Sequence, residues 1–137
     1  MRKILIAEDD YYIRDVYKEI FELSGYEVTV AVDGADALNK IKSQPFDMIL
    51  LDVMMPQLSG IDVLRALRGM NSPVKSTPVY MITNLGQDQV IEEAFQSGMD
   101  GYIIKSQVTP QQLVDEINNF FANKAAQEQK VSTDKVQ

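Results

Sequence analysis

Five short apolar runs alternate along this chain with five stretches whose apolar residues recur at helical spacing. No other feature restricts the fold as much. The runs are residues 3–7 (K-I-L-I-A), 26–32 (Y-E-V-T-V-A-V), 48–51 (M-I-L-L), 78–82 (P-V-Y-M-I) and 101–104 (G-Y-I-I). Helices are predicted over residues 11–24, 35–43, 61–68 and 87–97, and from Pro110 onward. A strand–helix alternation of this kind places parallel strands in one sheet, joins them by right-handed crossovers and covers both faces with helices. The expected fold is therefore a doubly wound α/β sandwich, (βα)5, with strand order 2-1-3-4-5 and a crevice between the first and third strands.

Local signals place the boundaries. Asp9 or Asp10 can N-cap the first helix, and Gly25 can close it. Ile13, Val16, Tyr17, Ile20, Phe21 and Leu23 are expected to face inward from it, as are Val90, Ile91, Ala94 and Phe95 from the fourth helix. Thr109-Pro110 fits N-cap and N1 of the fifth, whose inward side is Leu113, Val114, Ile117, Phe120 and Phe121. The second run alternates, as suits an edge strand with one face partly wet. Residues 1–123 are expected to form one domain, and residues 124–137 a polar C-terminal tail or an extension of the last helix, fraying from Val131.

Composition excludes much chemistry. The chain has no cysteine and no histidine, so thiol nucleophiles, zinc–thiolate sites and an imidazole base are absent. Carboxylates, hydroxyls and lysines remain, a set that suits hard cations. A formal net charge of −7 opposes direct binding to nucleic acid or to an anionic membrane. Met1-Arg2-Lys3 leads directly into a strand, and no apolar run is long enough to span a bilayer, so a cytoplasmic protein is expected.

The strand ends carry the chemistry. Four runs are followed by Glu8-Asp9, Asp52, Thr83 and Lys105, and a parallel sheet brings these ends to one edge. Each has an ordinary explanation alone: a helix-dipole partner, a solvated loop acid, a local backbone bond or a surface lysine. Together they are harder to dismiss. Converging carboxylates repel unless one protonates or a cation lies between them, and an all-oxygen site of this kind suits Mg²⁺ or Mn²⁺. Such a metal would turn the site toward phosphate, with Lys105 and Thr83 as partners for phosphoryl oxygens. Asp52 is left as the nucleophile of an aspartyl phosphate.

The motifs E-D at Glu8-Asp9, L-L-D-V-M-M-P-Q-L-S-G around Asp52, I-T-N at residues 82–84 and G-Y-I-I-K ending at Lys105 resemble the CheY-like receiver domains of two-component response regulators. The resemblance covers Lys3 to about Phe121. It implies the flavodoxin/CheY-like fold and a cytoplasmic phosphorylation switch, not an enzyme acting on other molecules. A histidine kinase or phosphotransfer protein would supply the phosphoryl group to Asp52. Glu8, Asp9, Asp52 and the Met54 backbone carbonyl would hold Mg²⁺. Lys105 and Thr83 would bind the phosphoryl group, and Tyr102 would turn inward and alter the face made by the fourth helix, fifth strand and fifth helix. That face would control a downstream protein, from a monomer or a phosphorylation-dependent dimer.

Four positions stand out against the usual pattern. Ser106 stands where proline commonly follows the lysine, so a trans Lys105–Ser106 bond or a strained loop is expected. Asn84 is larger than the usual residue after the threonine. Met54 and Leu85 occupy the positions that tune dephosphorylation, and neither can orient a water, which implies slow loss of phosphate. Two other functions share parts of this pattern. A flavodoxin-type flavin binder needs a hydroxyl- and glycine-rich first loop in place of E-D-D. A haloacid-dehalogenase-type phosphatase needs a second acid where Met54 stands. The chain could also be the receiver portion of a longer regulator. Tyr80, Glu92, Gln96, Tyr102 and Gln112 are candidates for the output face, whereas Gly101 and residues 115–119 lack several charges expected of receivers that dimerise through their last helices.

Overall fold

The computed structural model describes residues 1–84 and 88–136, with residues 129–136 as backbone only. The strands are β1 Lys3–Ala7, β2 Glu27–Ala31, β3 Met48–Asp52, β4 Val79–Thr83 and β5 Gly101–Ile104. They alternate with helices α1 Tyr11–Leu23, α2 Gly34–Ser43, α3 Gly60–Arg68, α4 Asp88–Gln96 and α5 Pro110–Val136. All pairings are parallel, as the alternation predicts, and the sheet order is β2-β1-β3-β4-β5, the order expected of a five-stranded doubly wound sheet. The fold is flavodoxin-like.

β3 is central, and every one of its residues is buried. Its side chains alternate between two cores. Ile49 and Leu51 join Leu5, Val63, Leu64 and Met81 on the face covered by α2, α3 and α4. Met48 and Leu50 join Ile4, Ile6, Phe21 and Leu113 on the face covered by α1 and α5. This is why the run reads as continuously apolar: water reaches neither side. β2 lies at an edge and is only partly covered, which matches its alternation.

Helix entries follow the capping rules. The Asp10 carboxylate accepts from the Ile13 N–H at 3.1 Å, which resolves the choice between Asp9 and Asp10. Ser59 and Asp62 form a reciprocal capping box at the start of α3. Gly25, at φ +95°, and Gly98, at φ +99°, take the left-handed conformation that ends α1 and α4. The Lys105–Ser106 peptide is trans, and among the described residues the cis bond is Ser72–Pro73. The helix α5 continues to Val136, beyond the Val131 at which fraying was expected.

Some residues expected inside are outside. Leu23 is 81% exposed, Val16 46% and Phe95 70%. Each sits at the margin of an apolar stripe wider than the area its neighbours cover, and periodicity does not say which margin stays dry.

Gly60 fixes the turn after β3. Its N–H donates to the Val53 carbonyl at 2.9 Å, and its Cα faces the Asp52 carbonyl so closely that a Cβ would overlap that oxygen and come within 2.8 Å of Met81 Cε. Backbone cannot yield as a side chain does, so Gly60→Ala is expected to cost about 2 kcal/mol of stability by overpacking. Urea unfolding of the variant measures this.

Candidate functional site

Pairing register brings the predicted residues to one level. Ala7 pairs with Leu51, so Glu8 follows beside Asp52; Asp52 pairs with Ile82, and Thr83 with Ile104, one residue before Lys105. Lys105 itself begins a short 3-10 turn, Lys105–Gln107, that turns the chain over the sheet edge. Glu8, Asp52 and Thr83 are buried, and Asp9 is exposed at the mouth.

One carboxylate oxygen from each of Glu8, Asp9 and Asp52 lies within 4.8 Å of the other two. The Lys105 ammonium is placed between two of them, hydrogen-bonded to Glu8 Oε1 and to Asp52 Oδ2, the latter at 3.0 Å. Asp52 Oδ1 accepts from the Met54 N–H at 3.2 Å, and Glu8 Oε2 from the Asp10 N–H at 3.2 Å. Burial pushes the Glu8 carboxyl above its ordinary range, and the adjacent Asp52 adds to that, while Lys105 and the Asp10 N–H pull it back only in part. Asp9 is pushed up as well, by burial and then by Glu8. For Lys105 burial acts downward, but its bonds to Glu8 and Asp52 outweigh it and the ammonium is held above its ordinary value.

A lysine clamped between two carboxylates at the end of the central strand, with a third acid at the mouth and a buried threonine on the next strand, is a specific arrangement. Residues 4–118 match the response regulator receiver domain family. The chain belongs to that family.

Related proteins agree with this membership. The receiver is 40% identical over 105 residues to the transcriptional regulatory protein CpxR of Escherichia coli K12, covering 77% of this chain and 43% of that protein. It is 34% identical over 104 residues to the transcriptional regulatory protein CrdR of Helicobacter pylori, covering 76% and 48%. It thus spans about half the length of the curated relatives it matches. Among solved structures it is similar to the receiver domain of the Francisella response regulator 1452, with TM-score 0.80, 34% identity and coverage of 90% and 99%. It is also similar to the chemotaxis protein CheY4 of Vibrio cholerae, with TM-score 0.81, 33% identity and coverage of 87% and 98%.

The receiver brings Glu8, Asp9, Asp52, Thr83 and Lys105 together around one edge of the sheet. Met54 adds its N–H, while its side chain is 63% exposed. Tyr102 stands apart on β5, 46% exposed, and Leu85 lies outside the described residues. Two contributors were missed in the sequence. Arg14 donates to the Glu8 carbonyl at 2.9 Å and, more weakly, to that of Asp9 at 3.5 Å, tying the acidic loop to α1. Tyr17 is buried close enough to the site for its hydroxyl to feel Lys105, Glu8 and Asp52 after burial itself, with a raised pKa as the net result. Arg14 contacts backbone carbonyls rather than the acidic side chains, so no side-chain spacing pointed to it. Tyr17 had no signal beyond its apolar face.

Receiver domains bind Mg²⁺ at an acidic pocket, and the donor set here fits such an ion: three converging carboxylates open to water through Asp9. Because the native fold holds the Glu8 proton more tightly than the unfolded chain does, this residue favours folding below its ordinary value of 4.5, and that contribution is lost as pH rises through its raised value. Glu8→Gln stays neutral throughout and avoids the loss. In Mg²⁺-free buffer the urea midpoint of the variant is expected to fall less than that of wild type as pH rises from below 4.5 toward neutrality. Urea midpoints measured across that range provide the check.

Proposed function

We propose that Asp52 is the phosphoacceptor of a two-component phosphorelay. A carboxylate oxygen of Asp52 attacks the phosphorus of a partner's phosphohistidine; the P–N bond breaks, its electron pair stays on the imidazole, and an aspartyl phosphate remains. The observation that carries this reading is the Lys105 ammonium held between Glu8 and Asp52 at the strand ends. It is a point charge already positioned to accept a phosphoryl oxygen as a new partner. Glu8, Asp9, Asp52 and the Met54 carbonyl would hold Mg²⁺, or Mn²⁺. When bound, the ion neutralises the clustered carboxylates and draws phosphoryl oxygens toward them. Thr83 donates its hydroxyl to the phosphoryl group, and Tyr102 turns inward in response, altering the surface formed by α4, β5 and α5.

The partners are a histidine kinase or phosphotransfer protein upstream and a protein target downstream, with the receiver working in the cytoplasm. The names of the CpxR and CrdR relatives make transcription the output class to test first, whether through a further domain or through a separate protein. Met54 and Leu85 tune dephosphorylation, and neither side chain can hold a water in line with the phosphorus.

Incubation with a small phosphodonor and Mg²⁺ should add one phosphoryl mass to wild type and none to Asp52→Ala in intact mass spectra. Modification that persists in Asp52→Ala would place the acceptor elsewhere. The phosphate should be lost slowly, and Met54→Asn should speed that loss several-fold by giving an attacking water a polar partner. Decay of the adduct over time reads this directly, and an unchanged rate would count against the tuning role.

A further inference from the structure

The wall made by α4, β5 and α5 carries most of the chain's charge imbalance. Between Asp88 and Asn123 there are six carboxylates and one cation, Lys105, which is turned into the phosphoacceptor site. Two of the six are taken up by the neighbouring helix α3: Glu93 pairs with Arg65 at 2.8 Å and Asp100 with Arg68 at 3.0 Å. Asp88, Glu92 and Glu116 have no ion-pair partner among the described residues.

Against this acidic background lies an open groove of about 510 Å³ with an apolar floor of Ile91, Phe95, Met99 and Tyr102 and with Asp88 and Glu92 on its rim. Two aromatic side chains stand in water there, Phe95 at 70% and Tyr102 at 46% exposure. A contiguous exposed apolar patch rimmed by charge marks an interaction surface. β5 pairs with β4 alone, so no further strand covers this side of the sheet.

We infer that this groove binds a basic amphipathic segment of a partner protein. An aliphatic or aromatic anchor sits on Phe95 and Tyr102, and lysine or arginine side chains meet Asp88 and Glu92. The inference rests on the reading of this wall as the output face and supplies the chemistry of its partner. A second copy is the wrong occupant for a two-fold contact centred on the groove, because its lining holds Asp88, Glu92 and Asp100 and no lysine or arginine, and symmetry would set that acidic lining against itself. Nucleic acid is repelled by the same charges. A basic segment gains steering from the acidic rim and affinity from the aromatic floor.

The test uses three fluorescein-labelled peptides of equal length. One combines lysine, leucine and a single phenylalanine on one helical face. The second has glutamate for every lysine, and the third has serine for the leucine and phenylalanine. Anisotropy titrations are run on the full chain with and without the phosphodonor, with the mass adduct checked on the same sample. The basic anchored peptide should bind at least about tenfold tighter than either control, and Phe95→Ala and Glu92→Lys should each weaken it about tenfold. The inference is overturned by equal binding of the acidic or anchorless peptide, or by unaltered binding in both variants. A phosphorylation-dependent dimer abolished by Phe95→Ala would also overturn it. Absence of the mass adduct would instead defeat the phosphoacceptor reading, while the titrations on unphosphorylated protein still decide the groove by the same criteria.

Discussion

One cation makes the acidic edge of the sheet possible. Glu8 and Asp52 are buried side by side, and two carboxylates in that position cannot both remain ionised without compensation. Lys105 supplies it from the far side of the sheet, two strands away from β3, so the edge is complete only when β1, β3, β4 and β5 are all in register. The site is thus an outcome of global folding. No local segment contains it. The compensation is also incomplete, since Glu8 stays above its ordinary range despite the ammonium. Burial is the main cause of that rise, and the three converging carboxylates are the feature that suits a further cation.

Most of the fold was legible because its strands are short, apolar and end abruptly in polar residues. β3 read clearly since both its faces are covered, and Asp52, Thr83 and the Glu8-Asp9 pair could be placed from their positions just past such runs. The sequence did not reveal who neutralises whom. The residues point Lys105 toward a phosphoryl oxygen, and its pairing with both Glu8 and Asp52 emerges only from the fold. Arg14 was likewise missed because it contacts backbone carbonyls, which no side-chain pattern advertises.

The misplaced apolar residues share one cause. Val16, Leu23 and Phe95 extend stripes whose central members, Tyr17, Phe21 and Ala94, are buried. Periodicity finds the centre of a stripe and leaves its margins to the packing of neighbours. At α4 that failure is informative. A phenylalanine that the helix pattern assigns to the interior is held at the surface beside Tyr102, on the same acidic wall.

The sheet divides the interior into two separate cores, with β3 contributing alternate residues to each. Ile49 and Leu50 are sequence neighbours, yet they belong to different packing problems. Changes of volume on the two faces should therefore combine nearly additively, as for sites without shared partners. Such a partition lets one side of the molecule drift in sequence without forcing compensation on the other. Only the strand ends, where both sides meet, must change together. The fold thereby confines its strongest mutual dependence to the few residues gathered at that edge.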